Sequence, residues 1–272
     1  MTTTPLYLSH FGLSGPPFAK DITDGELWVP PTKEELVADL LEAIAAHESV
    51  HLVGEPGVGK TCVLRALRHR ISPQAFRLTY CHNVTLGRRD FYRQLCLALG
   101  LAPAATAGAL FHAVSTHVQQ LSTDRQHPVF LLDEAHLLHQ DTLDHLHILL
   151  NHDWDSQPLL SLVLIGLPEL ADRLALRRNR SLYSRLARRL RIDPLTPDDT
   201  GAYIRMRMRR AGCDREVFCT DAIAMLHEAA TGAMRDLDRL AQAALREGAR
   251  NKRRLIERDL IQRVLHQDAP SS

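Results

Sequence analysis

Paired cysteines, aromatic residues and long apolar runs are scarce in this sequence, and each shortage argues against a class of protein. The 272 residues include five cysteines and no C-x-x-C pair, which disfavours a disulfide framework and a zinc knuckle and favours a reducing cytoplasm. Aromatic residues make up 5%, too few for a surface that stacks many rings. No apolar run approaches the roughly 20 residues of a membrane span, and the N-terminus shows no secretory signal. We therefore expect no membrane partner.

Arginine dominates the positive charge, although the net charge is only +1. Of 33 basic residues, 29 are arginine and four are lysine. Between Asp172 and Arg210 there are twelve arginines and four aspartates. Such a block favours a partner that carries phosphate or carboxylate groups, and a solvated helix face remains an equally open alternative.

Short apolar runs alternate with helical periodicity up to Pro194, and only helical periodicity follows. Continuous apolar runs of this kind are typical of strands covered on both faces. The predicted strands are 50–53, 76–80, 129–133, 160–166 and a short fifth at 190–192. The predicted helices after Pro194 are about 198–210, 221–230, 234–248 and 257–266. The order predicts an α/β fold, a parallel sheet flanked by helices, with a small C-terminal helical subdomain.

These patterns divide the chain into four expected parts. A segment rich in proline and glycine is expected to be an ordered but irregular entry, and the last residues are polar, which is typical of a flexible tail. The parts are the entry segment 1–35, the α/β core 36–195, the helical subdomain 196–266 and the tail 267–272.

A phosphate-binding motif follows the first predicted strand and opens a helix. The segment matches G-x-x-x-x-G-K-[ST], in which backbone N–H groups and a helix N-terminus surround phosphate oxygens. Lys60 is predicted to reach the β- and γ-phosphates, and the Thr61 hydroxyl to ligate Mg²⁺. The predicted ATP-contacting residues are Gly54, Glu55, Pro56, Gly57, Val58, Gly59, Lys60, Thr61 and Cys62.

Two acidic residues end the third predicted strand. Asp133 is predicted to hold Mg²⁺, and Glu134 to polarise the attacking water as general base. The alternative is that the pair merely caps a helix beginning at Ala135. Because a phosphate loop lies about 70 residues upstream, we favour ATP hydrolysis.

Several segments together resemble the AAA+ ATPases of the ExeA/TniB group, including transposition regulators of the TnsC, IstB and Mu B type. They are the phosphate loop, the D-E-A-H at 133–136, the I-G-L-P-E-L at 165–170, the basic 184–191 and the opening H-F-G-L-S-G-P-P-F at 10–18. The resemblance covers roughly residues 10–265. It implies a P-loop AAA+ fold with a C-terminal lid, an entry segment that contributes to the nucleotide pocket, and ATP-dependent assembly.

The resemblance also implies roles for individual residues. Arg185 matches the arginine that reaches a neighbouring subunit's site, and helical spacing makes Arg188 and Arg189 rivals for that role. Arg235, in a G-x-x-R segment, would touch the γ-phosphate from the same subunit. The group's polar sensor after the fourth strand is replaced here by Leu167.

DNA contacts are expected after the second strand, where related ATPases face a central pore. Arg88 and Arg89, in the segment 84–90, would contact phosphates, with Thr116 and His117 as weaker candidates. A solvated helix start is the alternative for the two arginines.

The favoured function is an ATP-dependent, DNA-binding regulator of transposition. It would assemble with itself on duplex DNA as a ring or helical filament, and recruit or activate a transposase together with a targeting protein. The alternatives are a secretion or envelope-assembly ATPase of the ExeA kind, and a helicase-loader or signalling ATPase. ExeA-like proteins usually carry a membrane span and a wall-binding region, and neither is found before Ser272.

Overall fold

The computed structural model describes residues 5–82, 85–152 and 156–268, and these form two compact units. The helical unit comprises the described parts of Met1–Glu34, Pro56–Cys62 and Asp193–Ser272. The sheet unit comprises Glu35–Glu55 and the described parts of Val63–Ile192. Val84, in the predicted DNA-contact segment, and the end of the predicted tail from 269 onward lie outside the described residues.

The sheet unit contains a parallel sheet, as predicted. Its strands are β1 Ser49–Val53, β2 Phe76–Cys81, β3 His127–Leu132, β4 Ser161–Gly166 and β5 Leu186–Arg191, in the order β2-β3-β4-β1-β5. Every residue of β1, β3 and β4 is buried, which explains why most of their residues are apolar. Because these three strands are neighbours, their carboxyl ends meet at one edge, where ligands bind in open α/β sheets.

The helices follow in chain order. They are α1 Leu6–Phe11, α2 Pro31–Ala45, α3 Lys60–Arg70, α4 Arg88–Ala98, α5 Ala107–Thr123, α6 Gln140–Leu149, α7 Glu169–Ala175, α8 Arg180–Tyr183, α9 Pro197–Arg210, α10 Thr220–Ala230, α11 Met234–Arg250 and α12 Arg258–Asp268. Among the described residues, no helix is long and apolar enough to cross a bilayer.

Leucine and aromatic side chains of α4, α5 and α6 build one core with the sheet. Phe91, Leu110 and Phe130 are fully buried in it. Burial of each such side chain contributes roughly 1.5–3 kcal/mol. The helix α5 begins where the Thr106 hydroxyl accepts a hydrogen bond from the Ala109 N–H at 3.2 Å, a cap worth about 1 kcal/mol.

The helical unit has its own core, to which the entry segment contributes. The segment was expected to be irregular, but it contains α1, which lies between Pro5 and Gly12. Phe11 packs against α11 at Gly248, where an added Cβ would lie 3.2 Å from the Phe11 ring. The entry segment is therefore part of the packed helical unit.

The basic segment before Pro194 forms a longer strand than the sequence predicted. The expected strand was 190–192, whereas β5 is Leu186–Arg191 and lies at the end of the strand order, beside β1. Helical spacing was therefore the wrong basis for comparing Arg185, Arg188 and Arg189. In a strand, adjacent side chains point to opposite faces, so Arg188 and Arg189 do not share one.

Candidate nucleotide site

In the helical unit, the phosphate loop lies against the start of α11. Gly59 has φ +103°, which L side chains rarely adopt, and a Cβ there would lie 2.9 Å from the Met234 sulfur. The Arg235 N–H donates a hydrogen bond to the carbonyl oxygen of Gly57 at 3.3 Å. The backbone of Arg235, the arginine of the G-x-x-R segment, therefore contacts the phosphate loop, and its side chain is exposed.

The glycine of the same G-x-x-R segment is buried against backbone. The Leu195 N–H donates to the carbonyl oxygen of Gly232 at 2.9 Å. A Cβ on Gly232 would overlap the carbonyl oxygen of Leu195. The turn before α11 therefore has no room for a side chain, which fixes where Arg235 emerges.

Lys33 is a supporting residue that sequence reasoning did not single out. It is 5% exposed, and its ammonium group donates to the carbonyl oxygens of Val58 at 3.2 Å and Asp193 at 3.1 Å. Burial lowers the pKa of Lys33, while the Asp199 carboxylate opposes that shift. The side chain thus ties the phosphate loop to the first residue after the sheet unit.

In the sheet unit, Asp133 follows β3 and is 7% exposed. The Tyr80 hydroxyl, from the neighbouring β2, donates to Asp133 Oδ2 at 2.7 Å. The Glu134 N–H donates to Oδ1 at 2.9 Å. Burial and the Asp133 hydrogen bond raise the pKa of Tyr80, so that hydroxyl stays a donor. The carboxylate is therefore held at both oxygens.

Glu134 adopts an unusual backbone conformation beside a histidine. Its φ of +54° and ψ of +33° are left-handed, which costs a non-glycine residue of the order of 1 kcal/mol. Its carboxylate is half-exposed and lies 3.5 Å from His136 Nδ1. The exposed carboxylate is available to a substrate or water, and the backbone strain marks this turn as a functional candidate.

The residue at the sensor position contributes backbone rather than side chain. Leu167 directly follows β4, and its N–H donates to His136 Nδ1 at 3.4 Å. At the same edge, the Gly54 N–H donates to the carbonyl oxygen of Gly166 at 3.1 Å. The ends of β1, β3 and β4 thus carry the first motif glycine, the acid pair and the sensor position.

The three arginines of the basic segment differ in environment. Arg185 directly precedes β5 and is partly exposed. Arg188 donates to Glu48 at 2.7 Å and Glu42 at 3.0 Å. Arg189 lies over the Tyr183 ring, 4.1 Å from its centroid. Arg188 is therefore engaged within its own chain.

The predicted DNA-contact residues lie on two helices of the sheet unit. Arg88 and Arg89 are exposed at the start of α4, and the Arg88 N–H donates to Asp141 at 3.4 Å. Thr116 and His117 are half-buried on α5. Burial lowers the pKa of His117, which disfavours a charged contact with phosphate. The exposed pair at α4 is the better candidate.

Together, the five-stranded parallel sheet, the phosphate loop and the acid pair after β3 define the chain as an AAA+ P-loop ATPase. The sequence matches the model of the AAA domain family over residues 30–174. The chain belongs to this family.

One curated relative matches almost the entire chain. The General secretion pathway protein A of Aeromonas hydrophila is 32% identical over 259 residues, which cover 94% of this chain and 47% of that protein. The chain therefore spans about half the length of this relative.

Solved structures support the same fold at lower sequence identity. Cdc6p from Pyrobaculum aerophilum gives a TM-score of 0.71 at 18% identity, over 94% of this chain and 71% of that one. Aeropyrum pernix ORC1, solved in complex with DNA, gives 0.66 at 20% identity, over 93% and 68%. Thermotoga maritima RuvB gives 0.61 at 18% identity, over 92% and 73%.

Proposed function

We propose that the chain binds ATP with Mg²⁺ and hydrolyses it with Glu134 as general base. The observation that carries this proposal is the acid pair directly after buried β3, with Asp133 held by Tyr80 at 2.7 Å and the Glu134 carboxylate exposed. The two carboxylates can therefore have different roles: the held Asp133 carboxylate as a metal ligand and the exposed Glu134 carboxylate as the base. Residues 54–62 would hold the phosphates, with Lys60 at the β- and γ-oxygens.

The proposed magnesium ligands have the chemistry this ion prefers. Mg²⁺ takes hard oxygen donors and keeps several waters, and Thr61 is exposed at the start of α3. Each Asp133 oxygen accepts one hydrogen bond and retains a second lone pair. Bound there, Mg²⁺ would neutralise charge on the transferred phosphoryl group.

We propose that Arg185 completes the site of a neighbouring copy, as the resemblance implies. Of the three arginines, Arg185 is the one that matches the motif position. ATP hydrolysis would then require assembly. Arg235, exposed at the start of α11, would contact the γ-phosphate within one subunit.

Duplex DNA is the proposed surface for assembly. One relative in fold, ORC1, was solved in complex with DNA, and Arg88 and Arg89 present two exposed guanidinium groups at a helix start. Arginine side chains commonly contact the phosphate oxygens of duplex DNA. Binding would therefore be independent of base sequence.

The double variant Arg88→Ala/Arg89→Ala tests the DNA proposal. Its affinity for different duplexes should fall about equally, because phosphate contacts carry no base information. The slope of log affinity against log salt should fall by about 0.9 for each DNA phosphate that the variant no longer neutralises. Fluorescence anisotropy at several salt concentrations measures both quantities. ATP affinity is the control and should not change. An unchanged salt slope would move the proposed DNA-binding surface to the basic segment 173–210.

A secretion ATPase is the second candidate, and the 32% identity to General secretion pathway protein A over 94% of this chain favours it. Regulation of a transposase with a targeting protein remains a prediction from sequence. DNA-stimulated ATP hydrolysis and filaments on duplex DNA would favour the first candidate, an ATPase that assembles on duplex DNA. ATPase activity that duplex DNA does not change would favour the second.

A further inference from the structure

His136 lies between the acid pair and the end of β4. Its Nδ1 is 3.5 Å from Glu134 Oε2 and 3.4 Å from the Leu167 backbone nitrogen. The side chain of His136 is 12% exposed, whereas that of Glu134 is 49% exposed. The ring is thus a mostly buried polar group with two partners at nearly equal distance from one nitrogen.

One nitrogen cannot serve both partners in the same way. With the proton on Nδ1, the ring would direct an N–H toward the Glu134 carboxylate, 3.5 Å away. With the proton on Nε2, Nδ1 accepts from the Leu167 N–H. The imidazole therefore has two alternative tautomers, one that faces Glu134 with an N–H and one that accepts the hydrogen bond from the backbone after β4.

The surrounding backbone keeps the ring in this place. Arg173 donates from one guanidinium nitrogen to the carbonyl oxygen of His136 and from another to that of Leu138, the latter at 2.7 Å. A Cβ on Gly166 would lie 3.1 Å from the His136 backbone nitrogen and 3.2 Å from Nδ1. The ring sits close to the strand end because residue 166 lacks a side chain.

We propose that His136 is a positioning residue that links the Glu134 carboxylate to the end of β4, in place of the polar side chain that residue 167 lacks. This inference rests on the proposed ATP hydrolysis. Atom Nδ1, rather than Nε2, carries the role, because both short approaches are made to Nδ1. Hydrolysis, and not ATP binding, depends on it.

Two isosteric substitutions separate the two ring nitrogens. In His136→Asn the amide places an oxygen or nitrogen where Nδ1 lies, whereas in His136→Gln it reaches the position of Nε2. We expect single-turnover hydrolysis within about threefold of the unmodified chain for Asn, and about tenfold slower for Gln. Both variants should bind ATP normally and keep their melting temperature. His139→Gln, at an exposed histidine nearby, is the matched control.

A second measurement identifies the partner of His136. In a Glu134→Gln background, adding His136→Gln should change the hydrolysis rate by less than about threefold, because the carboxylate that it positions is already gone. Equal rates for the Asn and Gln variants, or a full tenfold reduction that persists in the Glu134→Gln background, would overturn the inference. An unmodified chain without ATPase activity would instead overturn the proposed function.

Discussion

The phosphate loop and the acid pair are held in place by different kinds of contact. The loop is fixed through its backbone, because Lys33 and the Arg235 N–H contact the carbonyl oxygens of Val58 and Gly57. The acid pair is fixed through side chains, because the Tyr80 hydroxyl reaches Asp133 and the His136 ring reaches toward Glu134. Under the proposed function, the first arrangement would set where the ATP phosphates bind, and the second would set where the base and the Mg²⁺ ligand lie. Changes in the loop should therefore alter affinity, and changes around the acids should alter turnover.

Lys60→Ala should have the largest effect and should abolish ATP binding. The substitution removes the positive charge proposed to hold the β- and γ-phosphates. Titration with a fluorescent ATP analogue measures the affinity, and Arg254→Ala, at an exposed basic residue, should bind as the unmodified chain does. Undiminished affinity would remove Lys60 from the site.

Glu134→Gln should retain ATP binding and slow hydrolysis by roughly 10²-fold or more, because an amide cannot accept the proton of the attacking water. The assembled state should accumulate, which size-exclusion chromatography with ATP would detect. If phosphate release continued at nearly the normal rate, another residue would be the base.

Lys33→Met should weaken ATP binding by about tenfold and lower the melting temperature. The carbonyl oxygens of Val58 and Asp193 would be deprived of their shared donor. The Val58 oxygen is buried, and an unpaired buried acceptor costs about 1–3 kcal/mol. Calorimetric titration below the new melting temperature separates the two effects. If folded protein bound ATP normally, Lys33 would support the fold and not the loop.

Tyr80→Phe should have the smallest effect, a reduction of about fivefold in hydrolysis rate with ATP affinity unchanged. One hydroxyl donor to Asp133 is removed, and a hydrogen bond of this kind contributes about 1 kcal/mol. Measurement of affinity and turnover in parallel with Lys33→Met tests the contrast between loop and acids directly. The same pattern in both variants would contradict it.

The fold was largely predictable because its signals are local. The strands β3 and β4 contain continuous apolar runs, and the phosphate loop needs glycines at set positions, so both signals appear in consecutive residues. The strand β5 was underestimated because it lies at the end of the strand order and half of its residues are arginine. The sequence does not indicate that Arg188 forms ion pairs with Glu42 and Glu48, which lie about 140 positions earlier.

The residues that support the site could not be predicted in the same way. Tyr80 reaches Asp133 because β2 pairs with β3 in a register that sets Cys81 beside Leu132. Lys33 meets Val58 only after the chain has folded. Such contacts join residues that are far apart in the sequence. The motifs, in contrast, reflect the backbone conformation that one short segment must adopt.

The packing at Gly232 has a consequence for mutational tolerance. The position has backbone on the side where a Cβ would project, so a library randomised there should recover glycine almost alone, even under selection for folding without ATP. The neighbouring Arg235 is exposed, so a folding selection should accept many residues at that position. Selection for ATP hydrolysis should narrow them to arginine. The two defined positions of the G-x-x-R segment would then be selected for different reasons: Gly232 for steric fit and Arg235 for its chemistry.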